Sequence, residues 1–163
     1  VALGTPTFST LKPFVFTQCT VTLKSVNKST QVRAFRVTVN NNIPEDELYG
    51  HGSTDIIRVD QGQRLVTGSL DLSNVDDDQY DDFLAGTELA INAKWVGPAT
   101  GDASYTYNFE VDLPSCVYLS DSAVHADARN PLRSNVPFQA FYNASSSHTI
   151  KIFVQNRNGN YKG

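Results

Sequence analysis

Leu89-Ala90-Ile91-Asn92-Ala93-Lys94-Trp95 decides the fold: Leu89, Ile91, Ala93 and Trp95 fall on one face and Ala90, Asn92 and Lys94 on the other. A repeat of two is the signature of a half-buried strand, because successive side chains of extended backbone point to opposite faces. Trp95 is expected to be largely buried, on the face of Leu89 and Ile91. The same period recurs on both sides of this stretch. Tyr105, Tyr107, Phe109 and Val111 form the next stripe, followed by Val117 with Leu119, then Val136, Phe138, Ala140 and Tyr142, and finally Ile150, Ile152 and Val154. Upstream lie Val15, Thr17, Cys19, Val21 and Leu23, then Phe35, Val37 and Val39, then Arg64, Val66, Gly68, Leu70 and Leu72. Polar turns such as Asn27-Lys28-Ser29 and Gly97-Pro98-Ala99-Thr100-Gly101 separate the stripes. The pattern predicts an all-β or mainly β chain, an antiparallel sandwich or barrel of about eight strands.

One segment departs from the alternation. Residues 73–86, SNVDDDQYDDFLAG, read as a short α-helix near 75–85. Ser73 or Asn74 can cap its first turn, and Asp76, Asp77 and Asp78 lie at the positive end of its dipole. Val75, Gln79, Tyr80, Phe83 and Leu84 share a face that can cover the sheet, and Gly86 suits the C-terminal cap.

The composition agrees with this reading. The 163 residues suit one domain, with 1–12 and 157–163 as flexible ends, and 40% hydrophobic content supports a core. Of 17 acidic residues 13 are Asp, a residue of turns and caps rather than helix interiors. The net charge of −4 argues against a general nucleic-acid binder, which usually needs a basic face to displace counterions. No apolar run approaches the length of a membrane helix. Residues 71–82 carry six acids and no base, a candidate acidic surface formed by Asp76, Asp77, Asp78, Asp81 and Asp82. Its plain reading is a solvated helix start. The competing one is Ca²⁺, although the EF-hand pattern of a Gly at the sixth and a Glu at the twelfth loop position is missing.

Motifs for chemistry are missing too. His51, His125 and His148 stand apart in the chain, no Gly-x-Ser-x-Gly elbow occurs, and Gly50-His51-Gly52 is not a phosphate loop. No catalytic residue, metal site or cofactor is expected. Cys19 and Cys116 are too few for a disulfide framework, and two buried thiols are their plainest reading. Residues 40–54 form a long polar connection whose sizeable apolar groups are Ile43, Leu48 and Tyr49. Connections of that length inside a domain are often functional, so these three residues are a candidate inter-subunit contact.

Gln61-Gly62-Gln63-Arg64-Leu65-Val66-Thr67-Gly68-Ser69-Leu70-Asp71-Leu72 resembles the strand that leads into an acidic segment and a short helix in the tail tube proteins, or major tail proteins, of long-tailed bacteriophages. Pro13-Phe14-Val15-Phe16, the strand ending at Val39-Asn40-Asn41, Val111-Asp112-Leu113-Pro114, and Val136-Pro137-Phe138-Gln139-Ala140 before Ile150 resemble that family in the same order. The chain is similar to one tube domain, the C-terminal copy of a duplicated protein.

The resemblance implies a structural virion protein with no catalytic site. It would self-associate into stacked rings, hexameric or pseudo-hexameric, forming the channel for genome delivery. Its place would be the phage tail, after synthesis in the host cytoplasm. Its partners would be the tape measure, tail terminator and tail tip proteins. DNA would pass through the lumen without specific binding, and no membrane is involved. The alternative is a carbohydrate-binding or adhesin-type β-sandwich, with Ca²⁺ at the Asp cluster in one version.

Overall fold

The computed structural model describes residues 13–43, 62–73, 78–100, 105–120, 122–124 and 133–156. Expectations for the two ends, for Leu48 and Tyr49, and for Val75, Asp76 and Asp77 lie outside these residues.

The alternating stripes become strands. In chain order they are β1 (Cys19–Leu23), β2 (Val26–Asn27), β3 (Val32–Asn40), β4 (Leu65–Ser73), β5 (Leu89–Ala99), β6 (Thr106–Tyr118), β7 (Ser122–Val124), β8 (Arg133–Ala140) and β9 (Lys151–Gln155). One helix, α1 (Asp78–Ala85), separates β4 from β5. The strands form a single antiparallel sheet in the order β2-β1-β5-β6-β8-β4-β3, with β7 added to β8 and β9 added to β6. The fold is mainly β.

β6 is the longest strand and organises the others. Along one side it pairs with β5, from Leu89↔Cys116 to Ala99↔Thr106. Along the other side it is shared: β9 pairs with Asn108 to Asp112, and β8 with Cys116 to Tyr118. The buried faces of both ends of the sheet meet in one core. Val21 and Leu23 of β1 belong to the same buried cluster as Val32 of β3, Leu70 and Leu72 of β4, Leu113 of β6 and Phe138 of β8. The sheet is therefore rolled around its apolar face.

Gly68 shows why the β4 motif needs its glycine. A methyl group there would collide with the Arg36 carbonyl oxygen and the ring edge of Phe138. That ring stacks on Phe35, with centroids 6.3 Å apart and planes 11° from parallel. Trp95 is half-buried rather than fully buried, tilted against Phe109 at 5.4 Å. It stands at the rim, where Leu89 and Ile91 of the same face are already inside the core.

The helix ends as its sequence predicts. Gly86 has φ +60, its N–H donates to Phe83 O, and Thr87 N–H donates to Asp82 O. A side chain at Gly86 would meet no atom within 4 Å, so Gly86→Ala tests backbone conformation alone. We expect it to cost about 1 kcal/mol, read from the denaturation midpoint. The inward face of α1 is narrower than the apolar spacing suggested. Gln79 is buried and Phe83 packs on the core, but Tyr80 and Leu84 are 51% and 63% exposed. An eight-residue helix lying on the rim of the sheet can bury only the i, i+4 pair that points straight at it.

Candidate assembly surface

The acidic surface is tied to the β1–β2 hairpin. That hairpin turns through Lys24 and Ser25, with φ 50 and 66. Leu23 pairs with Val26 across this two-residue turn. Both turn residues take the left-handed conformation that such turns require, at a steric cost for side chains with a Cβ. Contacts offset the cost: Lys24 N–H donates to Ala90 O at 3.0 Å, and Lys24 Nζ forms an ion pair with Asp82. Lys28 Nζ lies 3.8 Å from Asp78 Oδ2. Asp81 is exposed. Two of the three described carboxylates of α1, Asp78 and Asp82, thus turn towards lysines and dock the hairpin on the helix. Ile43, just past β3, is 43% exposed.

A second polar group covers the outer face of β5 and β6. Asn92 Nδ2 donates to Glu110 Oε1 at 2.8 Å and to Asp112 Oδ1 at 3.2 Å. Lys94 Nζ is 3.7 Å from Glu110 Oε2. His148 Nε2 is 3.1 Å from Asp112 Oδ2, and its Nδ1 is 2.6 Å from the Ser146 carbonyl oxygen. Charges of both signs pair with one another across this face.

The apolar surface is concentrated where strands end. Ile150, Ile152 and Val154 read as a core stripe, yet Ile152 and Val154 are 58% and 59% exposed. Both face the core side, opposite Val111 and Phe109 of β6. They are uncovered because β9 has β6 on one side and, among the described residues, no strand on the other. Opposite this edge is an apolar groove of about 860 Å³, between β1 and β3. Phe16, Cys19, Val21, Val32, Phe35 and Trp95 supply its apolar walls. The tyrosine pair of the β6 stripe divides: Tyr105 is exposed ahead of the strand and Tyr107 is partly buried. Cys19 and Cys116 are both free thiols, Cys19 half-buried in the groove and Cys116 fully buried.

The sequence missed the groove, which forms between strands distant in the chain. It also missed the exposure of Ile152 and Val154, and the only signal for that was the shortness of the last stripe.

Residues 1–140 match the family model described as "Phage tail tube protein". No curated protein matches the chain. Among solved structures, the fold is similar to the anti-feeding prophage cap, the tube-terminating cap, at TM-score 0.62 and 11% identity, covering 95% of this chain and 100% of that one. A type six secretion system protein gives TM-score 0.50 and 9% identity over 74% and 76%. An Hcp protein gives TM-score 0.45 and 16% identity over 76% of each chain.

Proposed function

The chain belongs to the phage tail tube protein family and is a structural tail tube subunit; from that premise we propose that it closes into rings that stack into the channel for genome delivery. It acts through its surfaces and not through catalysis. The carbohydrate-binding alternative gains no support from the family match.

The observation that carries the ring is the row of four strands β1-β5-β6-β9, in which every neighbour is antiparallel. The row ends on the outer edge of β9, with three exposed apolar side chains, Ile152 and Val154 on the core side and Phe153 on the other, and a line of backbone donors and acceptors. A heterologous contact repeated by rotation closes a ring. In that ring the mainly polar face of the row, with Thr20, Thr22, Asn92, Lys94, Glu110, Asp112 and Lys151 and with Phe153 as an apolar member at its β9 edge, lines the lumen. Its cations and carboxylates are interspersed, which gives phosphate no continuous basic track to bind. Residues 40–54, which include the exposed Ile43, join one ring to the next. Tape measure, terminator and tip proteins meet the ends of the tube, and the assembled particle is a phage tail.

Electron microscopy of the concentrated chain tests this reading. Rings with a central channel, and tubes built from them, are the expected result. A chain that stays monomeric at every concentration up to the millimolar range would overturn it.

A further inference from the structure

The core face of the β1-β5-β6-β9 row is built in transverse lines. One runs Cys19, Trp95, Phe109, Val154 and the next runs Val21, Ala93, Val111, Ile152, each residue paired with its neighbour across the strands. Within the second line Val21, Ala93 and Val111 are 4%, 0% and 7% exposed, and Ile152 is 58% exposed. Each line therefore begins in the groove beside β1 and ends on an uncovered apolar side chain of β9. The groove has the space and the apolar walls that Ile152 and Val154 lack.

Strand direction fits as well. β1 runs opposite to β5, β5 to β6 and β6 to β9, so β9 runs opposite to β1. Two copies in the same orientation bring β9 of one antiparallel to β1 of the next. The backbone of β1 limits how they join. Val21 N–H already donates to Ser29 Oγ at 2.8 Å, and Val21 O accepts from Lys28 N–H at 2.9 Å. Contact at this edge must come chiefly from side chains entering the groove.

We propose that Ile152 and Val154 of one copy insert into the groove between β1 and β3 of the next, completing the apolar core across the subunit boundary. This assignment rests on the ring reading and specifies its contact. The occupant is a second copy of this chain, because the side chains that continue the buried lines are its own. Ile152 and Val154 are left wet in the single chain, and their burial in the groove drives the association.

Cys19 lies in the groove and allows a direct test. Ile152→Cys and Val154→Cys are made separately, and the assembled protein is treated with a mild thiol oxidant. Within one chain Cys19 and position 154 are three strand spacings apart, about 14 Å, beyond the reach of a disulfide. Any bridge is therefore between copies. Cys116 is 0% exposed and does not compete. The expected result is a ladder of linked chains on a non-reducing gel for at least one variant, abolished by adding Cys19→Ser.

In parallel, Ile152→Lys with Val154→Lys should shift the melting temperature of the single domain by less than about 2 °C, since both positions are exposed, while rings are lost. Rings that give no bridge from either cysteine variant, or a bridge that survives Cys19→Ser, would overturn the contact and leave the ring reading standing. Double-lysine rings like those of the parent would overturn it equally. Bridged open strings without closed rings would keep the contact and overturn the ring.

Discussion

Phe138→Ala is expected to destabilise the domain by about 3–5 kcal/mol, a large share of the ~5–15 kcal/mol that holds a typical domain together. Phe138 is 0% exposed and lies in the second half of β8, paired with Tyr118 of β6 on one side and Gly68 of β4 on the other. Its ring rests on Phe35 of β3 and against Gly68 of β4. Truncation removes the transfer energy of the ring and leaves a cavity that three hydrogen-bonded strands cannot collapse to fill. Gly68→Ala should also destabilise, by about 1–3 kcal/mol, because the added methyl meets both the Phe138 ring and the Arg36 carbonyl. The two changes are coupled. In the Phe138→Ala background the Gly68→Ala penalty should shrink without vanishing, since the main-chain obstacle stays. Chemical denaturation followed by the fluorescence of Trp95 measures all three variants. Additive effects would show that the ring and the glycine do not share the space assigned to them.

Cys116 should be protected from thiol reagents by about a thousand-fold at pH 8, relative to the unfolded chain. Burial first, and the charge of Asp112 second, push its pKa up from 9.0 to about 12. The thiolate is the reactive form, and raising the pKa this far leaves about one thousandth of it. Cys19, half-buried in the groove, should react first. The raised pKa also sets a pH limit on the fold. A folded-state pKa above the unfolded value contributes stability that is complete below pH 9 and is lost as the pH rises towards 12. At about pH 10.5, midway between the two values, the loss from this group is about 2 kcal/mol. Cys116→Ala should remove that part of the alkaline slope. A variant whose stability falls between about pH 9 and about pH 10.5 as steeply as the parent's would refute the assignment.

Both results bear on how much was legible in the sequence. Phe138 belongs to a period-two stripe, and such stripes are local: a strand with one buried face must alternate wherever it lies in the sheet. Hence β4, β5, β6 and β8 appear in the residues themselves, as do the helix and its Gly86 cap. The motif around Gly68 carried the family as well. Tyr80 and Leu84 were misplaced because helical spacing identifies residues on a common side of a helix but not how much of that side a neighbour covers. Trp95 was overestimated for the same reason, since the outer end of a stripe has the same pattern as its middle.

The candidate site was less legible than the fold. Asp78 and Asp82 were visible as part of an acidic segment, but their partners Lys24 and Lys28 come from a hairpin about fifty residues away. Residue order alone set the β class, the helix after β4, its C-cap and the tail tube family, because alternation, capping and a contiguous motif are all short-range properties. Tertiary structure alone decided the strand order, the division of β6 between β8 and β9, and the groove between β1 and β3. Those depend on which edges meet when the sheet rolls, and backbone hydrogen bonding has no sequence preference that would select one edge over another. The exposure of Ile152 and Val154 was decided in the same way: their apolar character is written in the chain, but only the position of β9 at the margin of the rolled sheet leaves them uncovered.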